Sequence, residues 1–73
     1  MEVRLTLDDD VVKELLEKSG SSKATDLTKE AMSIFQWAIG EAAKGRVVLS
    51  ADDKLGDLQR LVTPALSRAA RKA

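Results

Sequence analysis

Residues 2–7 read Glu2-Val3-Arg4-Leu5-Thr6-Leu7. Val3, Leu5 and Leu7 alternate with Glu2, Arg4 and Thr6, a period of two that marks a half-buried strand. A lone strand leaves its backbone N–H and C=O groups unpaired. No second strand follows closely, so pairing with the same strand of another copy is the economical solution.

Helical signals begin directly afterwards. Asp8, Asp9 and Asp10 precede Val11. Acidic side chains cap and charge-match a helix N-terminus, so one of the three is expected to cap a helix starting at Val11. Neighbouring carboxylates at a helix start do not converge on a metal. Val11 and Leu15, with Val12 and Leu16 beside them, form the apolar stripe, and Gly20 past Lys18 is a natural stop. Ser21, Ser22, Lys23, Ala24 and Thr25 then make a polar link, with Thr25 or Ser22 as the next cap. Leu27, Ala31, Ile34, Phe35, Ala38 and Ala42 recur at three- and four-residue spacing and predict a long amphipathic helix over 25–44, closed by Lys44 and Gly45. Met32, Trp37 and Ile39 widen its apolar surface. A helix apolar on more than one side contacts both its own subunit and a partner.

The remainder is less decided. Arg46 to Leu49 contains the run Val47-Val48-Leu49 and reads as a short strand. Asp52 to Asp57 reads as a turn. Leu58 to Val62 fits a second strand. It also fits a helix, because Ser50 and Asp53 make a capping box and Leu55, Leu58, Leu61 and Val62 recur at helical spacing. Gly56 weakens that helix by about 1 kcal/mol. Pattern alone does not separate the two. Thr63 as cap and Pro64 at the first helical position start a short terminal helix, ending in Arg68, Arg71 and Lys72.

Composition narrows the function. The chain has 73 residues, so one domain is the upper bound, and a domain this short is marginal alone. With no Cys, disulfides and thiolate metal sites are absent; with no His, the commonest acid–base catalyst is absent too. Oligomerisation is therefore the expected source of extra core. No nucleophile has an evident base beside it. No calcium-loop or phosphate-loop pattern is present. The expectation is a protein that is not an enzyme and needs no metal or cofactor. Lys plus Arg and Asp plus Glu balance at 12 each, so any contact with nucleic acid rests on where the basic residues sit. The opening Met-Glu-Val-Arg is not a signal peptide, and no apolar run approaches membrane-spanning length. The expected location is the cytoplasm, at the nucleoid if DNA is the partner.

The order of strand, acidic-capped helix, Gly-Ser link and long helix resembles the ribbon-helix-helix family of bacterial and archaeal regulators. The matching stretches are Val3 to Leu7, Asp9-Asp10-Val11-Val12, Gly20-Ser21-Ser22-Lys23 and Asp26-Leu27-Thr28-Lys29-Glu30-Ala31. The resemblance implies a mainly α fold with a short N-terminal β-strand: an intertwined homodimer with an intersubunit antiparallel ribbon. Residues 1–45 would dimerise and bind DNA, and 46–73 would be a C-terminal extension. Val3, Leu5, Leu7, Val11, Leu15, Leu27, Ala31, Ile34, Phe35 and Ala38 would form the dimer core.

The family's ribbon enters the major groove of double-stranded DNA, which here puts Glu2, Arg4 and Thr6 against the bases. Arginine forks onto guanine, and threonine meets either a base edge or a thymine methyl. Two copies imply a palindromic or repeated operator. The family's backbone clamp falls at Ser21, Ser22, Lys23 and Thr25, where a helix N-terminus favours phosphate. Two features depart from the pattern: Glu2 and Asp8 make the ribbon's surroundings acidic, and the link is one residue longer, at Ala24.

Three roles follow from the resemblance. One is a sequence-specific transcriptional regulator, in most cases a repressor. Another is an antitoxin whose residues 46–73 bind a protein toxin and are mobile until they do. The third is a sensor on the same dimer, with Arg46 or the tail holding an anionic effector.

Overall fold

A computed structural model describes residues 1–72. It is mainly helical, with three helices and one two-stranded antiparallel sheet. Helix α1 spans Asp9–Ser19, α2 spans Ala24–Ala43, and α3 spans Pro64–Arg71. Strands β1, Leu49–Ser50, and β2, Gln59–Arg60, lie between α2 and α3. The chain divides into two compact units, Met1–Met32 and the part from Ser33 onward, so the division falls inside α2.

In the first unit, Asp8 is the cap among the three aspartates. Its carboxylate accepts from the backbone N–H of Asp10 at 2.9 Å and of Val11 at 3.3 Å. Asp9 and Asp10 therefore lie inside the first turn, where negative charge opposes the helix dipole's positive end. The helix thus starts two residues before Val11. It stops where expected: Gly20 has φ 72°, a left-handed conformation that costs a residue with a Cβ about 1 kcal/mol.

Two expectations about the link need correction. Helix α2 begins at Ala24, so that residue belongs to the helix and does not lengthen the link. Neither Ser22 nor Thr25 takes the cap position. The Lys23 carbonyl accepts the first helical bond, from the Leu27 N–H at 3.2 Å, and Thr25 sits within the first turn. The Thr28 hydroxyl back-bonds to the Ala24 carbonyl at 2.8 Å.

Residues 1–8 belong to no helix or strand. The alternating segment 2–7 therefore has no ladder within a single chain, and the sheet that does form is the one near residues 49–60. The physical reason is the one visible in the sequence: a strand needs a neighbour, and no other segment of the first unit supplies one.

In the second unit the open choice over 50–62 resolves as a hairpin. Leu49 faces Arg60 and Ser50 faces Gln59, and the Leu61 N–H continues the ladder to the Val48 carbonyl at 2.8 Å. Asp52 organises the connection. Its Oδ1 accepts from the N–H of Lys54 at 2.9 Å and of Gly56 at 2.8 Å. Its own N–H donates to the Gly56 carbonyl at 3.0 Å. A Cβ on Gly56 would lie 3.1 Å from Asp52 Oδ2, a tight approach that the Asp52 carboxylate would have to yield to by a few tenths of an ångström. Leu55 and Asp57 take positive φ, 62° and 50°, conformations a helix through these residues would forbid.

Thr63 caps α3, with its hydroxyl accepting from the Leu66 N–H at 3.1 Å, and Pro64 opens the helix, both as the sequence predicts. The described core lies in this unit: Ala38, Ala42 and Leu66 are buried, with Ile39, Val48 and Ala69 packed around them. Arg46 Nε donates to Glu41 Oε1 at 3.1 Å, tying the segment after α2 back to its last turns.

Candidate functional site

The first unit presents an open groove of about 330 Å³. Leu5 and Leu7 line it from the N-terminal segment, Val11, Val12 and Leu15 from α1, and Leu27, Ala31 and Met32 from α2. Only Asp8 and Thr28 interrupt this apolar wall. The alternation along 2–7 and the three-four spacing along the helices thus converge on one surface. Six of the ten residues expected in a dimer core meet here: Leu5, Leu7, Val11, Leu15, Leu27 and Ala31.

Most of this wall is uncovered. Leu5 is 66% exposed and Leu7 56%, and Val11 and Leu15 are exposed as well. Leu27 is half-buried. Val3 is exposed and does not line the groove. The other three expected core residues, Ile34, Phe35 and Ala38, belong to the second unit, where Ala38 is buried and Ile34 and Phe35 are exposed. Met32 and Val12 complete the groove. The signal for both was present, since each widens an apolar stripe by one position beyond its strict spacing.

The polar side of the segment is also free. Glu2, Arg4 and Thr6 are exposed, and no salt bridge to Arg4 forms among the described residues. The expected phosphate clamp is mixed. Ser22, Lys23 and Thr25 are exposed; Ser21 is half-buried, and its N–H donates to Ser19 Oγ at 3.3 Å. Asp26 stands in the first turn of α2 and neutralises part of the positive field that would attract an anion there.

Charge is divided unevenly along the chain. Residues 1–32 hold five Lys or Arg against eight Asp or Glu, a net of −3. Residues 33–73 hold seven against four, a net of +3. In the first unit, Lys18 Nζ is bound to Glu14 Oε1 at 2.6 Å. In the second, Lys44 and Arg46 share Glu41. Arg60, Arg68, Arg71 and Lys72 are exposed and make no ion pair among the described residues.

The second unit has an open depression of about 350 Å³ over the hairpin, lined by Val48, Leu49, Ser50, Gln59, Arg60 and Leu61, and a small, partly open cavity of about 30 Å³ lined by Ala42, Arg46, Val48, Leu61, Leu66 and Ser67 among others. The smaller cavity has room for about one water. Among the described residues no cluster of carboxylates could hold a metal, and no helix is long and apolar enough to cross a membrane. No protein-family model matches the chain, and no curated protein or solved structure is significantly similar to it.

Proposed function

We propose that this chain is a ribbon-helix-helix protein that works as a homodimer and regulates transcription by reading double-stranded DNA. The observation that carries the reading is the uncovered groove of the first unit beside an unpaired, alternating N-terminal segment. Burying a Leu or Val side chain is worth about 1.5–3 kcal/mol, and the groove leaves several such side chains in water. A second copy supplies both missing partners at once. Its segment 2–7 completes an antiparallel ribbon, and the apolar side of that ribbon closes the grooves of both chains. The symmetry is self-complementary, as a two-fold interface requires.

Such a ribbon turns Glu2, Arg4 and Thr6 outward, twice over. Arg4 is the base reader, through a fork onto guanine O6 and N7. Thr6 adds a shorter contact. Glu2 repels phosphate and holds down binding to unrelated sequence, so specificity rests on few contacts.

The C-terminal segment supports a regulator over an antitoxin. A toxin-binding arm should stay unfolded until its partner arrives. Residues 46–72 instead form a hairpin and a capped helix, and Leu66 of α3 is buried with Ala38 and Ala42 of α2.

Sedimentation equilibrium tests the dimer: the expected mass is twice the 7.9 kDa of the chain. Selection of bound sequences from random duplex DNA tests the reading of bases and should enrich a palindrome or a repeat. Arg4→Ala should abolish that preference and leave the mass unchanged. A monomeric mass at micromolar concentration, or a preference that survives Arg4→Ala, refutes the ribbon.

A further inference from the structure

We infer that α3 carries a second DNA contact, a cationic face that binds backbone phosphates independently of base sequence. This deepens the proposed reading and rests on it in one respect, that duplex DNA is the ligand.

The face is built by the helix's own geometry. At 100° per residue, Arg68, Arg71 and Lys72 fall on one side of α3, opposite Leu66 and Ala69. Leu66 is buried and Ala69 packs beside it, so the apolar side is committed to the core and the cationic side is held outward. All three cations are exposed. No acidic residue occurs anywhere in α3, and no described carboxylate pairs with them. A cationic surface without counter-charge is available to neutralise phosphates, and release of the cations condensed on the DNA is what drives such binding.

The need for such a face comes from the rest of the chain. Affinity for DNA depends on neutralised phosphates, yet residues 1–32 are net negative by three charges. Lys18 is spent on Glu14, and the helix N-terminus at Ala24 is partly neutralised by Asp26. The ribbon offers one cation, Arg4. The positive excess of the molecule lies from Ser33 onward, and the end of α3 with its C-cap Lys72 concentrates three of its charges within five residues. A simpler role exists: cations near a helix C-terminus favour its dipole. That role affects helix stability and leaves the salt dependence of DNA binding unmoved.

The test compares four full-length proteins: wild type, Arg4→Ala, the triple variant Arg68→Gln/Arg71→Gln/Lys72→Gln, and their combination. Each is titrated by fluorescence anisotropy against the selected duplex and a scrambled duplex at several salt concentrations. Far-UV circular dichroism checks that the variants fold. Each neutralised phosphate contributes about 0.9 to the slope of log affinity against log salt. Six cations in a dimer therefore predict that the triple variant loses up to about 5 from the slope on both duplexes. Near 0.1 M salt its affinity falls by at least about tenfold, while its preference for the selected duplex persists.

Three outcomes overturn the inference. One is a slope that changes by less than about one on substitution. Another is wild-type protein that binds neither duplex. The third is a triple variant that loses affinity only for a single-stranded RNA control. Failure of the ribbon alone looks different: no preference between duplexes, together with a salt slope that the triple substitution still reduces.

Discussion

Leu66 decides whether the C-terminal segment is part of the fold or an appendage. It is the one large side chain in the buried core, 6% exposed, against Ala38, Ala42, Ile39, Val48 and Ala69. Leu66→Ala removes three carbons, about 2.4 kcal/mol at roughly 0.8 kcal/mol per buried carbon. Ala38, Ala42 and Ala69 have no side-chain torsions with which to fill the hole, so part of the cavity persists. A few tens of Å³ add up to about 1 kcal/mol. The expected loss is about 3 kcal/mol, a large share of the stability of so small a domain, and a fall in melting temperature of about 10–20 °C. Urea unfolding at one fixed protein concentration measures it, followed by far-UV circular dichroism and by the fluorescence of Trp37, which adjoins Ala38. Leu58→Ala is the matched control, since Leu58 is 61% exposed and should change stability by under about 0.5 kcal/mol. If Leu66→Ala shifts the urea midpoint no more than the control does, α3 is not anchored on α2. Residues 46–72 would then be free to serve as a partner-binding arm.

Asp8→Ala should cost about 1 kcal/mol and speed amide exchange in the first turn of α1, whereas Asp8→Asn should retain most of the stability because the cap needs an acceptor and not a charge. Equal losses in both variants would mean that charge, and not capping, holds the helix start. Leu5→Asp places a carboxylate in the apolar groove of both chains, so sedimentation should report a single-chain mass at micromolar concentration. A mass unchanged from wild type would remove the groove from the dimer interface.

How much of this was legible depended on the range of the interaction. Asp8, Gly20 and the Thr63-Pro64 pair act on their immediate neighbours, and their residue types state the backbone geometry they need. All three do in the structure what their positions imply. The hairpin at 49–60 was ambiguous because Leu55, Leu58, Leu61 and Val62 satisfy a helical spacing while the run also suits a strand. What settles it is the carboxylate of Asp52 reaching forward to two backbone N–H groups, with Leu55 and Asp57 turned to positive φ. Such a loop has no periodicity to detect. The start of α2 was misread for a similar reason: Ser22 and Thr25 are both good caps by type, and the helix began at Ala24 between them.

Burial was the least legible property, since amphipathicity says which face is apolar and not what covers it. On α2, Ala38 and Ala42 are covered by α3, whereas Ile34, Phe35 and Trp37 stay exposed. Small residues at 38 and 42 leave room for the Leu66 side chain to pack. The larger ones nearby leave an apolar surface exposed. The same contrast runs through the first unit, where Leu5, Leu7, Val11 and Leu15 line a groove that nothing in the unit closes. Covering such surfaces is a strong and non-directional demand, roughly proportional to area. The proposed reading of DNA is a demand of the opposite kind. It would rest on Arg4, Thr6 and the placement of a few cations in a chain whose charges sum to zero. A single carboxylate such as Asp26 or Glu14 shifts that balance, whereas an apolar surface spreads its demand over several side chains. Substitutions that break association should therefore fall on the exposed apolar side chains, those of the groove foremost, while those that alter DNA binding should be scattered over both units and act mainly through charge.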